Sequence, residues 1–461
     1  MLPFWCVALS ACSLINAYDD VNKGPGSGGS GAGDPTGGGG GEPPSGGGPV
    51  GGDGTGGAGG TPQIVVACNV SGNPFQVQEL SGAPAGQRTY DRNAYGYQPN
   101  GDQVRVFVRV GQELRGLEID VGDQIINNTF TASAQDLMWA RPVGLNTFGL
   151  LVARPMVGAG YPLDLLVWPN NQNIQNPNVY PISAGPLTSV SSNGPRGLFV
   201  HAGNEPDNIG ILLRTYEGGM NRLRYARHLP GDLVETSATI GPPTPDEEGI
   251  SPRALVRTGT TNGTMHAFFG GPTMAGVGGT KQWIFPENAA NISGAAVDIG
   301  PPGSILIDAT RKEDGTIDVA AGQISPTELR LKGDTVTESG LDALDTGAMN
   351  TLIELSSFLD VPNTGEAQIA SGAVILAGAN STKDKMVMIV AGLSGGAAVN
   401  NPELLTPSPS TSFSDVAVFV TNSPISALGG VGRLIYTERH DVGPNAYDSL
   451  MIATIACEQR K

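Results

Sequence analysis

Along the chain, short apolar runs alternate with clusters of turn-forming residues. VRVFVRV around Phe107, GLLVARP around Leu151, GLFVHAGN around Phe199, RALVRTG around Leu255, SILIDAT around Leu306, GAVILAGAN around Ile375 and DVAVFVTN around Phe419 are the most alike, each cut off by Gly, Pro, Asn or Asp. Such runs predict β-strands, and the unbroken ones predict strands buried on both faces. They are spaced 44, 48, 56, 51, 69 and 44 residues apart, averaging 52. Three Gly-Pro dipeptides, at Gly185, Gly241 and Gly300, are spaced 56 and 59 residues apart. Between markers there is room for three or four strands with tight turns. The stretch from Gly197 to Leu229 reads as three strands, and ILIDATRKEDGTIDVAAG as a hairpin turning at Asp314-Gly315.

Seven such units across residues 63–461 resemble a seven-bladed β-propeller, an all-β fold, with six or eight blades compatible with the same spacing. The resemblance is to the architecture and to no single repeat family. No Trp-Asp dipeptide closes a unit, and a kelch-like di-glycine occurs only at Gly270-Gly271, after HAFF. Phe419-Val420-Thr421-Asn422 resembles the YVTN-type repeat. The widest gap holds GLDALDTGAMNTLIELSSFL, residues 340–359, whose apolar positions fit an inserted helix and fit equally a strand over Leu352 to Phe358.

Composition adds a boundary to this pattern. The chain's 68 Gly and 35 Pro in 461 residues disfavour helical folds. Of these, 21 Gly and 6 Pro fall in the 40 residues from Lys23 to Pro62. That segment cannot bury a core, so residues 12–62 are expected to form a disordered linker, with a random-coil reach of about 35 Å for the glycine tract. No Gly-Lys-Ser/Thr follows its glycines, so it is not a phosphate loop. Ahead of it, Leu2 to Ala11 is an apolar run of signal-peptide length ending in Leu9-Ser10-Ala11-Cys12. This resembles the lipobox of bacterial lipoproteins, although Met1 to Trp5 carries no Lys or Arg. The resemblance implies a signal peptide over residues 1–11, cleavage before Cys12 and lipid on that residue. The implied address is the bacterial cell envelope, as an outer-membrane lipoprotein facing the periplasm or the cell surface.

Charge and cysteine narrow the partners. With 26 Lys+Arg against 43 Asp+Glu, a formal charge of −17 and no basic cluster, a nucleic-acid partner is not expected. Cys6 leaves with the signal and Cys12 takes lipid, which leaves Cys68 and Cys457 near the two ends of the body. A disulfide between them would tie the first strand to the last; two buried free thiols are the alternative.

Chemical motifs are sparse. Gly392-Leu393-Ser394-Gly395-Gly396 satisfies the nucleophile-elbow pattern, and Asp415 and His440 follow in triad order. Asn400-Asn401-Pro402 stops any helix there, so the motif reads as a β-turn and no catalytic residue is assigned. The four His, at 201, 228, 266 and 440, lie too far apart for a local metal motif, and the carboxylates of EPDN and RKEDGTID read as hairpin turns. No metal and no cofactor are expected. Trp168 and Trp283, beside Pro and Asn, and His201 and His266, which follow strand runs, are candidate ligand-binding residues; packing between sheets is the competing reading. The expected function is a lipid-anchored, non-enzymatic binding or scaffolding module for a protein or glycan. The alternative is an envelope hydrolase or lyase in which His201, Arg257, His266 and Asp308 meet at a central channel; a surface-layer component without a specific ligand is a third reading.

Overall fold

The computed structural model describes 27 strands and adjoining turn residues between Val65 and Arg460. Residues 1–64, 81–103 and the remaining inter-strand segments lie outside that description, and with them the signal, Cys12, the linker and Ser394. Nearly everything described is strand, and every described pairing is antiparallel.

The strands form small meander sheets. Strands β2 (Val104–Val110), β3 (Glu113–Ile119) and β4 (Ile125–Ser133) make a three-stranded sheet. Sets of four follow: β5 (Asp136–Gly144) to β8 (Asn178–Leu187) through β6 (Thr147–Ala153) and β7 (Tyr161–Trp168); then β9 (Gly197–His201), β10 (Ile209–Glu217), β11 (Met220–Leu229) and β12 (Asp232–Thr244). Next come β13 (Pro252–Thr258), β14 (Thr264–Gly270), β15 (Thr280–Pro286) and the two-residue β16 (Val297–Asp298). They are followed by β17 (Ser304–Arg311), β18 (Ile317–Ile324), β19 (Glu328–Val336) and β20 (Thr351–Glu354). The sheet β21 (Gly365–Ala370), β22 (Ala373–Ala379), β23 (Met386–Gly392) and β24 (Val399–Leu405) precedes the last one. There β25 (Thr411–Val420), β26 (Gly430–His440) and β27 (Tyr447–Arg460) are completed at the edge by β1 (Val65–Leu80) from the start of the body.

Leading strands pack in succession, β5 on β9, β9 on β13, β13 on β17, β17 on β21 and β21 on β25. Sheets stacked face to face by their first strands have the arrangement of a β-propeller. Between neighbours the apolar runs of the sequence interdigitate, and β13 is buried at every position from Pro252 to Thr258. One core joins Leu163 and Leu165 of β7, Ile211 and Leu213 of β10, and Met265 and Ala267 of β14. Another sets Met386 and Met388 of β23 against Phe413, Tyr436 and Met451. Glycine shapes the tight turns: Gly219 and Gly315 sit at φ +82° and +85°, a region that residues with a Cβ seldom enter. The predicted hairpin at Asp314-Gly315 is thus the β17–β18 connection.

Two local readings meet the structure here. Within 340–359, where an inserted helix was one of two readings, Thr351–Glu354 is strand β20 and pairs with β19; the rest of that segment is outside the described residues. Four consecutive ladder partners hold Thr351–Glu354 extended. After Gly392 the next described element is strand β24, so the elbow pattern stands between two strands of one antiparallel sheet.

Candidate functional site

The sequence-nominated residues do not gather in one place. Trp168 is completely buried: its indole lies 5.0 Å from the Phe107 ring and 5.9 Å from Phe148, and its Nε1 donates to the Ile174 carbonyl at 2.8 Å. Trp283 is 8% exposed and stacks on Phe269 at 6.2 Å. Both are core residues, a correction to their ligand-binding assignment; an indole offers a large apolar area and needs only one acceptor. His201 ends β9 opposite Ile209, and its side chain lies outside the described residues.

His266 is also removed from solvent. It sits in the middle of β14 between Val256 and Ile284. The Gln282 amide donates to its Nδ1 at 3.0 Å, so Nε2 carries the proton and donates to Thr258 Oγ1 at 3.1 Å. Burial pushes its pKa down from 6.5 to about 4, and the ring is held neutral. With both nitrogens committed to its own sheet, it has no free lone pair for a ligand or metal. Asp308 is completely buried and accepts the Ala309 backbone N–H at 2.8 Å.

Arg257 belongs to a different cluster, one the sequence did not reveal. Its Nε donates to Glu287 Oε2 at 2.8 Å and its Nη1 to the Gly259 carbonyl at 2.7 Å. The Gly263 N–H adds a bond to the same Oε2 at 3.1 Å, and Arg227 of β11 reaches Glu287 Oε1 at 3.9 Å. The Tyr225 hydroxyl donates to the Glu287 carbonyl at 3.2 Å, and burial keeps that phenol protonated far above its usual range. At Gly263 a Cβ would stand 2.4 Å from Arg257 Nε, so only glycine leaves room for the guanidinium. The cluster binds sheet β9–β12 to sheet β13–β16. A carboxylate that holds two hydrogen-bond donors and faces a second guanidinium is a latch between sheets. A second buried ion pair, Arg105–Glu118 at 3.0 Å, crosses β2 and β3; burial lowers the pKa of Arg105 despite the neighbouring carboxylate. Among the described residues no three His, Cys, Asp or Glu side chains are grouped to hold a metal ion.

The accessible chemistry lies where sheet β21–β24 meets sheet β25–β27 plus β1. Thr411, His440 and Tyr447 stand in one cross-strand row at the end of the last sheet. His440 stacks on Tyr447 at 4.4 Å and 6°, and both rings are partly exposed. Ser449 Oγ fixes the imidazole through Nε2 at 2.9 Å. Period-2 alternation puts Glu438 and Tyr436 below His440, on the face that packs against β23. Glu438 is 2% exposed, and its Oε2 accepts the Ser408 N–H and the Thr411 hydroxyl, each at 3.2 Å. The turn 382–385 is tied to the start of β25 by the Phe413 N–H to the Lys383 carbonyl at 2.9 Å. Lys383 and Ser410, at φ +59° and +66°, are the non-glycine residues with positive φ among those described, and both flank this junction. Held strain of this kind clusters at sites that use it. The sequence carried a usable signal here: Tyr436, Glu438 and His440 alternate on one strand, followed by Tyr447 and Ser449 on the next.

No family model matches the chain, and no curated protein matches it. Among solved structures it is similar to the polysaccharide lyase Uly1, at 10% identity over 84% of this chain and 99% of that one, TM-score 0.40. It is also similar to the Aleuria aurantia lectin in complex with α-methyl-L-fucoside, at 14% identity over 70% and 99%, TM-score 0.40. Virginiamycin B lyase from Staphylococcus aureus is similar at 10% identity over 86% and 99%, TM-score 0.41.

Proposed function

We propose that the protein is a lipid-anchored binding or scaffolding module of the bacterial envelope, a seven-bladed propeller on a glycine leash. The observation that carries this reading is the contrast between its interior and its sheet ends. Arg257, His266 and Asp308, the groups available to a channel enzyme, are engaged by their own sheets. The accessible polar and aromatic groups sit at a sheet junction, where they suit recognition. Residues 12–62 then serve as the tether, and Cys12 as the point of lipid attachment.

Seven sheets, counted among the described residues, support seven blades. The ring closes where β1 pairs with β27, and in that ladder Cys68 stands directly opposite Cys457. Directly opposed residues of an antiparallel pair lie about 4.5–5.5 Å apart at Cα, within the span of a disulfide. A Cys68–Cys457 bond is therefore part of the proposal, and peptide mapping without reductant reads it directly.

The test is fractionation followed by re-binding. Cys12→Ala is expected to move the protein from the membrane pellet to the soluble fraction. The released protein is expected to bind washed envelope fragments saturably. Unchanged fractionation overturns the anchor, and absence of saturable retention overturns the binding module.

A further inference from the structure

We propose that the outer edge of sheet β2–β4, beside the exposed face of β8, takes an extended, basic-flanked peptide segment of a partner protein as a fourth strand. This inference rests on the binding-module reading above and names the chemistry of the partner.

The outer strands of the other sheets are protected against such pairing. Proline interrupts β1 (Pro74), β8 (Pro181 and Pro186), β12 (Pro242 and Pro243) and β24 (Pro402). Strands β16 and β20 are only 2 and 4 residues long. Proline, charge and shortness are the devices that keep a sheet edge from pairing with another chain. Strand β4, IINNTFTAS, has 9 residues with no proline and no charged side chain. Among the described residues it ends a sheet of three strands, where the other sheets have four. Its ladder to β3 is irregular near Glu118 but regular from Phe130 to Ser133, so the outward backbone groups of that stretch form an orderly row.

The neighbouring sheet shows the same gap from its own side. Directly paired residues of a ladder share a face. Leu166 of β7 is 4% exposed, in one core with Phe107 and Leu114 of sheet β2–β4, while its partner Val179 of β8 is 54% exposed. Asp164 of β7 is buried, and its partner Pro181 is exposed. Cover from sheet β2–β4 therefore stops between β7 and β8, one strand short. Asp164 marks the boundary: Arg154 Nε lies 2.7 Å from its Oδ2, while its buried Oδ1 has no hydrogen-bond partner. A strand added beyond β4 pairs with that edge, lays side chains on Val179 and Pro181, and brings donors toward the unmatched oxygen.

The space suits a single strand and not a second copy. Two antiparallel β4 strands related by a two-fold axis would keep the same face of both sheets on one side. Each β8 would then fall where the other copy already has β7. Charge sets the rest of the ligand. Among the described side chains of these two sheets, Arg105, Arg115 and Arg154 are paired with Glu118, Glu113 and Asp164. With β4 uncharged, the inserted stretch is uncharged too, and a chain charge of −17 favours basic residues on either side of it.

The experiment titrates the full chain, purified in detergent, into a fluorescent peptide as long as β4, alternating Thr and Val with Lys at both ends, read by anisotropy. Saturable binding is expected. Of two peptides N-methylated at every Val or at every Thr, one is expected to bind at least about tenfold more weakly, because alternate N–H groups point to alternate edges. Val179→Ser is expected to weaken binding about fivefold with an unchanged melting temperature, whereas Val297→Ser, at an exposed valine of β16, leaves it unchanged. Glu in place of the terminal Lys is expected to weaken binding about threefold at low salt. Absence of saturation overturns the proposal. So do parent-like affinity of both N-methylated peptides, unchanged binding in Val179→Ser, equal weakening in Val297→Ser, or tighter binding of the Glu-ended peptide. A dimer that Val179→Ser disperses would give the edge to a second copy and overturn it as well. If envelope retention persists while the peptide fails, this site falls and the binding module stands. If both fail, both fall.

Discussion

Two buried glutamates at two sheet junctions have been given opposite surroundings. Glu287 is 4% exposed and draws partners from two neighbouring sheets; Glu438 is 2% exposed and draws its partners from its own sheet and the segment that leads into it. Around Glu287 the partners are cationic and converge: Arg257 at 2.8 Å, Arg227 at 3.9 Å and the Gly263 N–H at 3.1 Å, with Tyr225 bonded to the same residue's carbonyl. Around Glu438 they are neutral, a backbone N–H and a threonine hydroxyl, both on the same oxygen. A buried carboxylate costs several kcal/mol to desolvate. The first is compensated inside the protein, as a latch must be. The second is compensated on one side only, which leaves an acceptor for something else. Burial alone therefore does not mark a functional group; the type and completeness of its partners do.

The largest effect concerns the junction that closes the ring. If the Cys68–Cys457 bond spans some 390 residues, the chain-entropy model assigns it about 6 kcal/mol. Cys457→Ser is expected to lower the urea midpoint of unfolding accordingly, and reductant to lower the native protein to the same midpoint. An equal midpoint in the variant and the unreduced native protein would separate closure from the disulfide. Next in size is the latch. Glu287→Gln leaves Arg257 and Arg227 without their counter-charge and is expected to cost about 3–5 kcal/mol. Gly263→Ala forces a methyl group against Arg257 Nε, 2.4 Å from the new Cβ, and is expected to lose stability by the same route. A Glu287→Gln protein that unfolds like the native one would mean that the cluster latches nothing.

Much of the architecture was legible because burial repeats along the chain. Runs such as RALVRTG and GAVILAGAN are strands β13 and β22, continuous in apolarity because both faces are covered. The two ends of the body, around Cys68 and Cys457, do pair. The site was not legible in the same way. Trp168 and His266 stood out as rare residue types, yet rarity reports neither exposure nor partners, and Phe107, Phe148, Thr258 and Gln282 take up everything they offer. Glu287 draws its partners from residues 225, 227, 257 and 263, separations at which no local pattern is formed. His440 did enter the sequence reading, but as the partner of Ser394, when its neighbours are Tyr447 and Ser449.

Acid sharpens the contrast between an interior that is internally satisfied and a junction that is not. His266 has a folded-state pKa of about 4 against 6.5, so the unfolded chain binds the extra proton first. Stability from this residue is complete above pH 6.5 and is lost as pH falls toward 4, by about 3 kcal/mol in all. Denaturant midpoints taken from pH 7 to pH 4 are expected to decline through that window in the native protein. In His266→Gln, which replaces the imidazole by a group that does not titrate, the same window is expected to lose that component. An identical decline in both proteins would assign the acid sensitivity elsewhere.

The smallest stability effect is the most discriminating, because it applies one substitution to both glutamates. Glu438→Gln keeps an oxygen for the Ser408 N–H and the Thr411 hydroxyl, and no cation near it loses a counter-charge. Neutral hydrogen bonds contribute about 1 kcal/mol each, and most of that is retained by the amide. The expected cost is therefore about 1 kcal/mol or less, against 3–5 kcal/mol for the same change at Glu287. Parallel urea titrations of the two variants read the difference. If both lose the larger amount, Glu438 is a second latch and its unoccupied oxygen has no role. If Glu438→Gln unfolds like the native protein, the carboxylate at that junction is there for something other than holding the sheets together.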